Sequence, residues 1–82
     1  MNLNITGKDF ELTDAIKSYT SEKVEKLSKY LGDDFSAVAT FEIHGEEQIA
    51  ELRITVGSTV YKATTASKDL YSSIDKNIGI LE

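Results

Sequence analysis

Ala50-Glu51-Leu52-Arg53-Ile54-Thr55-Val56, Gly57-Ser58 and Thr59-Val60-Tyr61-Lys62-Ala63-Thr64-Thr65 run consecutively, and their reading decides the fold. Ala50, Leu52, Ile54 and Val56 alternate with Glu51, Arg53 and Thr55, the period of two that sends apolar side chains to one face of a strand. Gly57 accepts the positive φ that opens a type II′ turn, so Gly57-Ser58 reads as a two-residue hairpin loop. Such a loop pairs Val56 with Thr59, Ile54 with Tyr61 and Leu52 with Ala63. Every pair sets a core-face residue against another, so pattern and turn specify one register.

Working outward, Ala37, Ala39, Phe41 and Ile43 alternate with Val38, Thr40, Glu42 and His44, giving a strand that ends at the loop Gly45-Glu46-Glu47. Before it, Ile16, Thr20, Val24, Leu27 and Leu31 recur at helical spacing. Thr13 is placed to cap that helix, Asp14 suits its positive end, and Gly32 supplies the stop near Leu31. Leu3 and Ile5 form a short strand ending at Gly7. Downstream, Ser67 is expected to cap a second helix whose stripe is Leu70, Ile74, Ile78 and Leu81, with Gly79 weakening its last turn by about 1 kcal/mol. The order is β-α-β-β-β-α, an α+β fold with two helices packed on one face of a four-stranded sheet. Phe41, Leu52, Ile54, Ile16, Leu27 and Ile74 are expected to be the most buried. The other sheet face, with Glu42, His44, Glu51, Arg53 and Lys62, is left to solvent.

The 82 residues suffice for one domain, 1–82, and no apolar run reaches the roughly 18 residues of a membrane helix. A hydrophobic content of 40% against 28% charged is that of a globular chain. With no cysteine, disulfides, thiolate metal sites and thiol catalysis are excluded. Met1-Asn2-Leu3-Asn4 shows no signal-peptide pattern, so the cytoplasm is the expected location. The net charge of −5 argues against a nucleic-acid partner only if it is spread evenly. It is not: residues 32–57 alone carry −5, whereas residues 14–31, with four lysines, carry +1.

Catalytic chemistry finds little support. His44, the one histidine, has Glu42, Glu46 and Glu47 nearby, but nothing supplies the further ligands of a closed zinc site. No nucleophile-elbow sequence surrounds a serine, and the glycines are scattered singly rather than forming a phosphate loop. His44 is expected to be neither ligand nor catalyst, and no cofactor, metal or small-molecule substrate is expected. The lysines offer more. Lys23, Lys26 and Lys29 form a short ridge drifting around the first helix, with Tyr19 and Tyr30 beside it. Interleaved with Glu22 and Glu25, such a ridge is ordinarily a solvated face; phosphate binding needs a second basic element, which Lys68 and Lys76 on the second helix offer.

Leu3-Asn4-Ile5-Thr6-Gly7, Leu12-Thr13-Asp14-Ala15-Ile16, Lys23-Val24-Glu25-Lys26-Leu27 followed by Tyr30, and Asp69-Leu70-Tyr71-Ser72-Ser73-Ile74-Asp75 together resemble the ribosome hibernation factors. This is the family of hibernation-promoting factor and ribosome-associated inhibitor, also labelled sigma-54 modulation proteins. The resemblance covers essentially the whole chain. It implies a domain similar in outline to double-stranded-RNA-binding domains, binding the small ribosomal subunit and its rRNA near the decoding centre. There it would block the messenger and transfer RNA sites during stress or stationary phase. It also implies that basic residues of the two helices meet rRNA phosphates: Lys23 and Lys26 match the first-helix basic positions, Lys29 continues that side, and Lys76 stands on the second helix.

One departure from the family pattern is the end of the second helix. Members continue it with a Lys/Arg-rich tail, whereas here Asn77-Ile78-Gly79-Ile80 leads to Glu82. The expectation is that the natural protein has such a basic continuation. The competing reading is a non-catalytic protein-interaction module that uses an acidic outer sheet face, Glu42, Glu46, Glu47 and Glu51, against a basic partner. A small hydrolase built around His44 is the third.

Overall fold

The expected hairpin is present in the computed structural model, which describes residues 1–81. Strands β1 (Asn2–Gly7), β2 (Ser36–His44), β3 (Glu47–Val56) and β4 (Thr59–Ser67) form one sheet in the order β1-β2-β3-β4. Helices α1 (Asp14–Glu25), α2 (Ser28–Leu31) and α3 (Leu70–Leu81) accompany it. β1 runs parallel to β2, because the chain returns through the helical crossover between them; the other pairs are antiparallel. Val56 faces Thr59, Ile54 faces Tyr61 and Leu52 faces Ala63, the register read from the turn. Gly57 takes φ +60° while Ser58 stays outside the left-handed region, as a type II′ turn requires.

The helix-covered face of the sheet alternates small and large side chains. One cross-strand row is Ile5, Ala39, Leu52 and Ala63; the next is Leu3, Ala37, Ile54 and Tyr61. Alanines beside Phe41, Leu52 and Ile54 leave hollows into which helix side chains fit. Val24 and Leu27 are wholly buried there, with Ile16, Ile74 and Ile78 around them. The six residues expected to be most buried are all in this core. Phe35, just ahead of β2, joins it.

Four expectations need correction. The first helix does not run unbroken to Leu31. Between Lys26 and Tyr30 the backbone amides reach back three residues rather than four: Lys26 to Lys23, Leu27 to Val24, Lys29 to Lys26 and Tyr30 to Leu27; Leu31 and Gly32 return to a reach of four. The ψ angles of −23° at Lys26 and −16° at Leu27 match this tightened, 3₁₀-like winding. It keeps Leu27 pointing into the core directly after Val24.

The second correction is the cap of α3. Ser67 is the last residue of β4, and Asp69 caps the helix: its carboxylate accepts from the Ser72 amide and hydroxyl, each at 2.9 Å. Third, Ile43 and Tyr61 have core-face parity yet are exposed: Ile43 is next to the last residue of β2, and Tyr61 stands on the edge strand β4. Fourth, the outer sheet face is acidic only at its loop end. Glu42 pairs with Lys8 at 3.4 Å and lies 3.3 Å from His44, Glu51 pairs with Lys62 at 3.8 Å, and Arg53 lies between Val38 and Lys62 in the cross-strand row, whereas Glu46 and Glu47 are exposed and have no ion pair among the described residues.

α3 is also held by polar contacts in the core. Asn77, 2% exposed, donates through Nδ2 to the Ala50 carbonyl at 2.9 Å, and its Oδ1 accepts from the Thr65 hydroxyl. Ser73 donates to the Gln48 carbonyl at 2.9 Å, while the Gln48 side-chain oxygen accepts from the Leu70 amide at 3.0 Å. Among the described residues, no buried side-chain polar atom lacks a partner. A fully satisfied polar set of this kind fixes the position of α3 along the sheet.

Candidate nucleic-acid interface

Tyr19 stands on the exposed side of the stripe that Ile16 and Thr20 bury, and it meets α3. Its hydroxyl donates to Asp75 Oδ1 at 2.6 Å, and its ring meets Tyr71 edge-on at 4.9 Å between centroids. Giving up that proton would place a phenolate against a carboxylate, so the hydrogen bond to Asp75, burial and the Asp75 charge push the Tyr19 pKa up to about 12. The pairs Tyr19–Tyr71, Tyr19–Asp75 and Lys23–Asp75 step forward along both helices, so α1 and α3 run in the same sense.

Lys23 belongs to this cluster. Its Nζ lies 5.2 Å from the Tyr19 ring centroid and 3.8 Å from Asp75 Oδ1, and its side chain keeps only 27% exposure. Lys23 therefore has a positioned and partly neutralised charge. Lys26 follows in the tightened turn and Lys29 lies in α2, both exposed. In a winding of three residues per turn, positions i and i+3 eclipse one another. The tightening thus brings the ridge of Lys23, Lys26 and Lys29, expected to drift, into line.

Lys76 is exposed on α3. Its charge is one of the weaker influences that hold the Asp69 carboxyl below its ordinary 3.8; the amide and hydroxyl of Ser72 are the main ones. Among the described residues, Lys26, Lys29, Lys68 and Lys76 have no carboxylate at ion-pairing distance. The structure thus sets three of the four singled-out lysines free of partners and ties up Lys23. The Tyr19–Asp75–Tyr71 cluster that orients Lys23 escaped sequence reasoning. Helical spacing places Tyr71 and Asp75 together, but nothing local says that they meet Tyr19.

On the opposite side of the sheet, burial raises the Glu42 pKa, but Lys8 and His44 outweigh it and leave the carboxyl below its ordinary 4.5. His44 is exposed, with its Nε2 3.3 Å from Glu42 Oε1. Among the described residues, no three His, Cys, Asp or Glu side chains converge as a metal site, and no helix is long and apolar enough to cross a membrane.

Comparison with known proteins agrees with this architecture. Residues 3–82 match the model of the family described as "Sigma 54 modulation protein / S30EA ribosomal protein". A ribosome hibernation promotion factor of Lactococcus lactis subsp. cremoris is 33% identical over 78 residues, which are 92% of this chain and 42% of that protein. A ribosome hibernation promoting factor of Acidithiobacillus ferridurans is 28% identical over 78 residues, 92% of this chain and 100% of that one. The chain thus spans about two fifths of the Lactococcus relative and the whole of the Acidithiobacillus one. The crystal structure of the Thermus thermophilus Protein Y N-terminal domain superposes with a TM-score of 0.91 at 27% identity, covering 99% of this chain and 91% of that one. With its β-α-β-β-β-α order, its polar-latched last helix and a family match over nearly its full length, the chain belongs to the sigma 54 modulation protein / S30EA ribosomal protein family.

Proposed function

We propose that this chain is a ribosome hibernation factor, a non-catalytic cytoplasmic protein that binds the small ribosomal subunit through rRNA phosphates. Bound near the decoding centre, it occupies the messenger and transfer RNA sites and keeps ribosomes idle during stress or stationary phase. The observation that carries this reading is the division of charge. The helical side holds Lys26, Lys29 and Lys76 without carboxylate partners among the described residues, while the outer sheet face pairs Glu42 and Glu51 with bases of its own. Unpaired lysines meet phosphates without first breaking an internal ion pair. That same pairing takes up Glu42 and Glu51, two of the four carboxylates on which an acidic interaction module would rely. Relatives named as hibernation factors support the reading.

Lys23 has a different part. Held over Tyr19 and beside Asp75, it offers phosphate a charge already shared, and so a weaker contact than Lys26 or Lys29. The test is binding to purified small subunits across a salt series. Three phosphate contacts predict a roughly 20- to 40-fold loss of affinity between about 50 and 200 mM salt. Lys26→Glu with Lys29→Glu should weaken binding and flatten that dependence. Salt-independent binding would refute a phosphate-based interface.

A further inference from the structure

Two donors on α1 converge on one oxygen of α3. The Tyr19 hydroxyl donates to Asp75 Oδ1 at 2.6 Å, and Lys23 Nζ stands 3.8 Å from that same oxygen. Tyr71 braces the Tyr19 ring edge-on from α3 and Lys23 lies against it from α1, so both helices fix the ring that carries the hydroxyl. A hydroxyl donor and an ammonium aimed at one point make a seat for an anionic oxygen, and here the anion is the protein's own. Glu22 and Asp69 add further negative potential at Tyr19, after the larger influence of Asp75. The seat is open to solvent, with the Asp75 side chain 51% exposed. An ion pair that open contributes little to stability, so folding alone gives little reason for a charged rather than a neutral acceptor at this position.

We infer that Asp75 competes with rRNA phosphate for Lys23: its carboxylate occupies the seat that a phosphate oxygen would take, and so holds ribosome affinity below what the lysine line would give by itself. The inference rests on the phosphate-binding reading above and names the group that tempers it. Lys23 begins the line that Lys26 and Lys29 continue, and it alone of the three has a carboxylate at ion-pairing distance among the described residues. An RNA strand that follows the line reaches Lys23 only by drawing its ammonium away from Asp75. The phosphate then sits close to that carboxylate and is repelled by it. Both costs reduce what Lys23 returns, and neither arises at Lys26 or Lys29. Asp75→Asn would remove both. The new side chain has nearly the same shape, and its carbonyl oxygen can still accept from the Tyr19 hydroxyl.

The test measures binding of the full chain to purified small subunits, for the wild type, Asp75→Asn, Lys23→Gln and the last two combined. Asp75→Asn should bind about 2- to 5-fold tighter at low salt, the equilibrium equivalent of releasing one exposed ion pair. Its affinity should also fall roughly threefold more between about 50 and 200 mM salt, because one phosphate contact has been added. Lys23→Gln in the wild-type background should change affinity by less than about twofold, whereas in the Asp75→Asn background it should abolish most of the gain and the added salt dependence. A carboxylate that only shaped the fold would show no such coupling to Lys23. Tyr19→Phe, which removes the hydrogen bond but keeps the Asp75 charge, should not tighten binding, and a gain there would overturn the proposal. So would Asp75→Asn binding no tighter than the wild type, or a gain that survives in full without Lys23. Lys26→Glu with Lys29→Glu, measured alongside, separates the two readings. If that variant loses affinity while Asp75→Asn matches the wild type, the competition falls and the functional reading stands. If no variant departs from the wild type, both fall. Circular dichroism verifies that each variant is folded.

Discussion

Asn77→Asp is the substitution that most sharply tests how the last helix is fixed. The two side chains have nearly the same shape, but an ionised aspartate has no hydrogen to donate. In the native chain, Asn77 Nδ2 donates to the Ala50 carbonyl at 2.9 Å from a site 2% exposed. The substituted side chain would set a carboxylate against that carbonyl oxygen, buried and compensated only by the Thr65 hydroxyl. Leaving a charge without a partner in such a place costs about 3–5 kcal/mol. A domain of this length has roughly 4–12 kcal/mol of stability in all. The loss should depend on pH with a definite sign. Burial raises the folded-state pKa of the new acid above its unfolded value near 3.9. Below that value both states are protonated, the acid donates to Ala50, and the penalty largely vanishes. As pH rises toward the folded-state pKa, the unfolded state ionises first and stability falls. Urea unfolding of the variant and the wild type between about pH 3.5 and 7 measures the difference. The gap should be small at the acid end and widen to several kcal/mol at neutrality. A constant gap, or none at pH 7, would refute the claim that Asn77 is a buried donor.

Phe41→Ala should cost about 3–5 kcal/mol by urea denaturation, since the ring is 1% exposed at the centre of the sheet, where a cavity cannot easily collapse. Asp69→Ala should lower the unfolding midpoint at neutral pH by removing the cap on Ser72, with an effect that fades in acid. The folded-state pKa of Asp69 lies below its ordinary 3.8, so its stabilisation is present above that value and lost as pH falls through the folded-state pKa. An undiminished effect at pH 2 would contradict a cap made by the carboxylate.

The sheet was legible in the residues because period-two alternation and the Gly57 turn agree on one register. The helical stripe was legible too, but not its winding. Spacings of four, four, three and four from Ile16 to Leu31 fit an unbroken α-helix, and only the packing of Val24 and Leu27 against the sheet shows the tighter turn between them. Ser67 and Asp69 are both good capping types two residues apart; the choice falls to Asp69 because β4 continues through Ser67. Asn77 and Ser73 could not be recognised as core residues, since a buried amide or hydroxyl is tolerable only through partners on β3 and β4 that no local pattern names. The lysines stood out by type and spacing. Their availability did not, because it depends on Asp75 meeting Lys23 across two helices and on Lys8 reaching Glu42 from outside the strands.

Co-sedimentation of the full chain with purified small ribosomal subunits at physiological salt tests the central claim most directly, comparing wild type with Lys26→Glu, Lys29→Glu and Lys76→Glu combined. All three positions are exposed and without ion-pair partners among the described residues, so the fold should survive, as circular dichroism can verify. The wild type should pellet with the subunits while the folded triple variant stays in the supernatant. A folded variant that pellets as well as the wild type would contradict a phosphate-binding helical face.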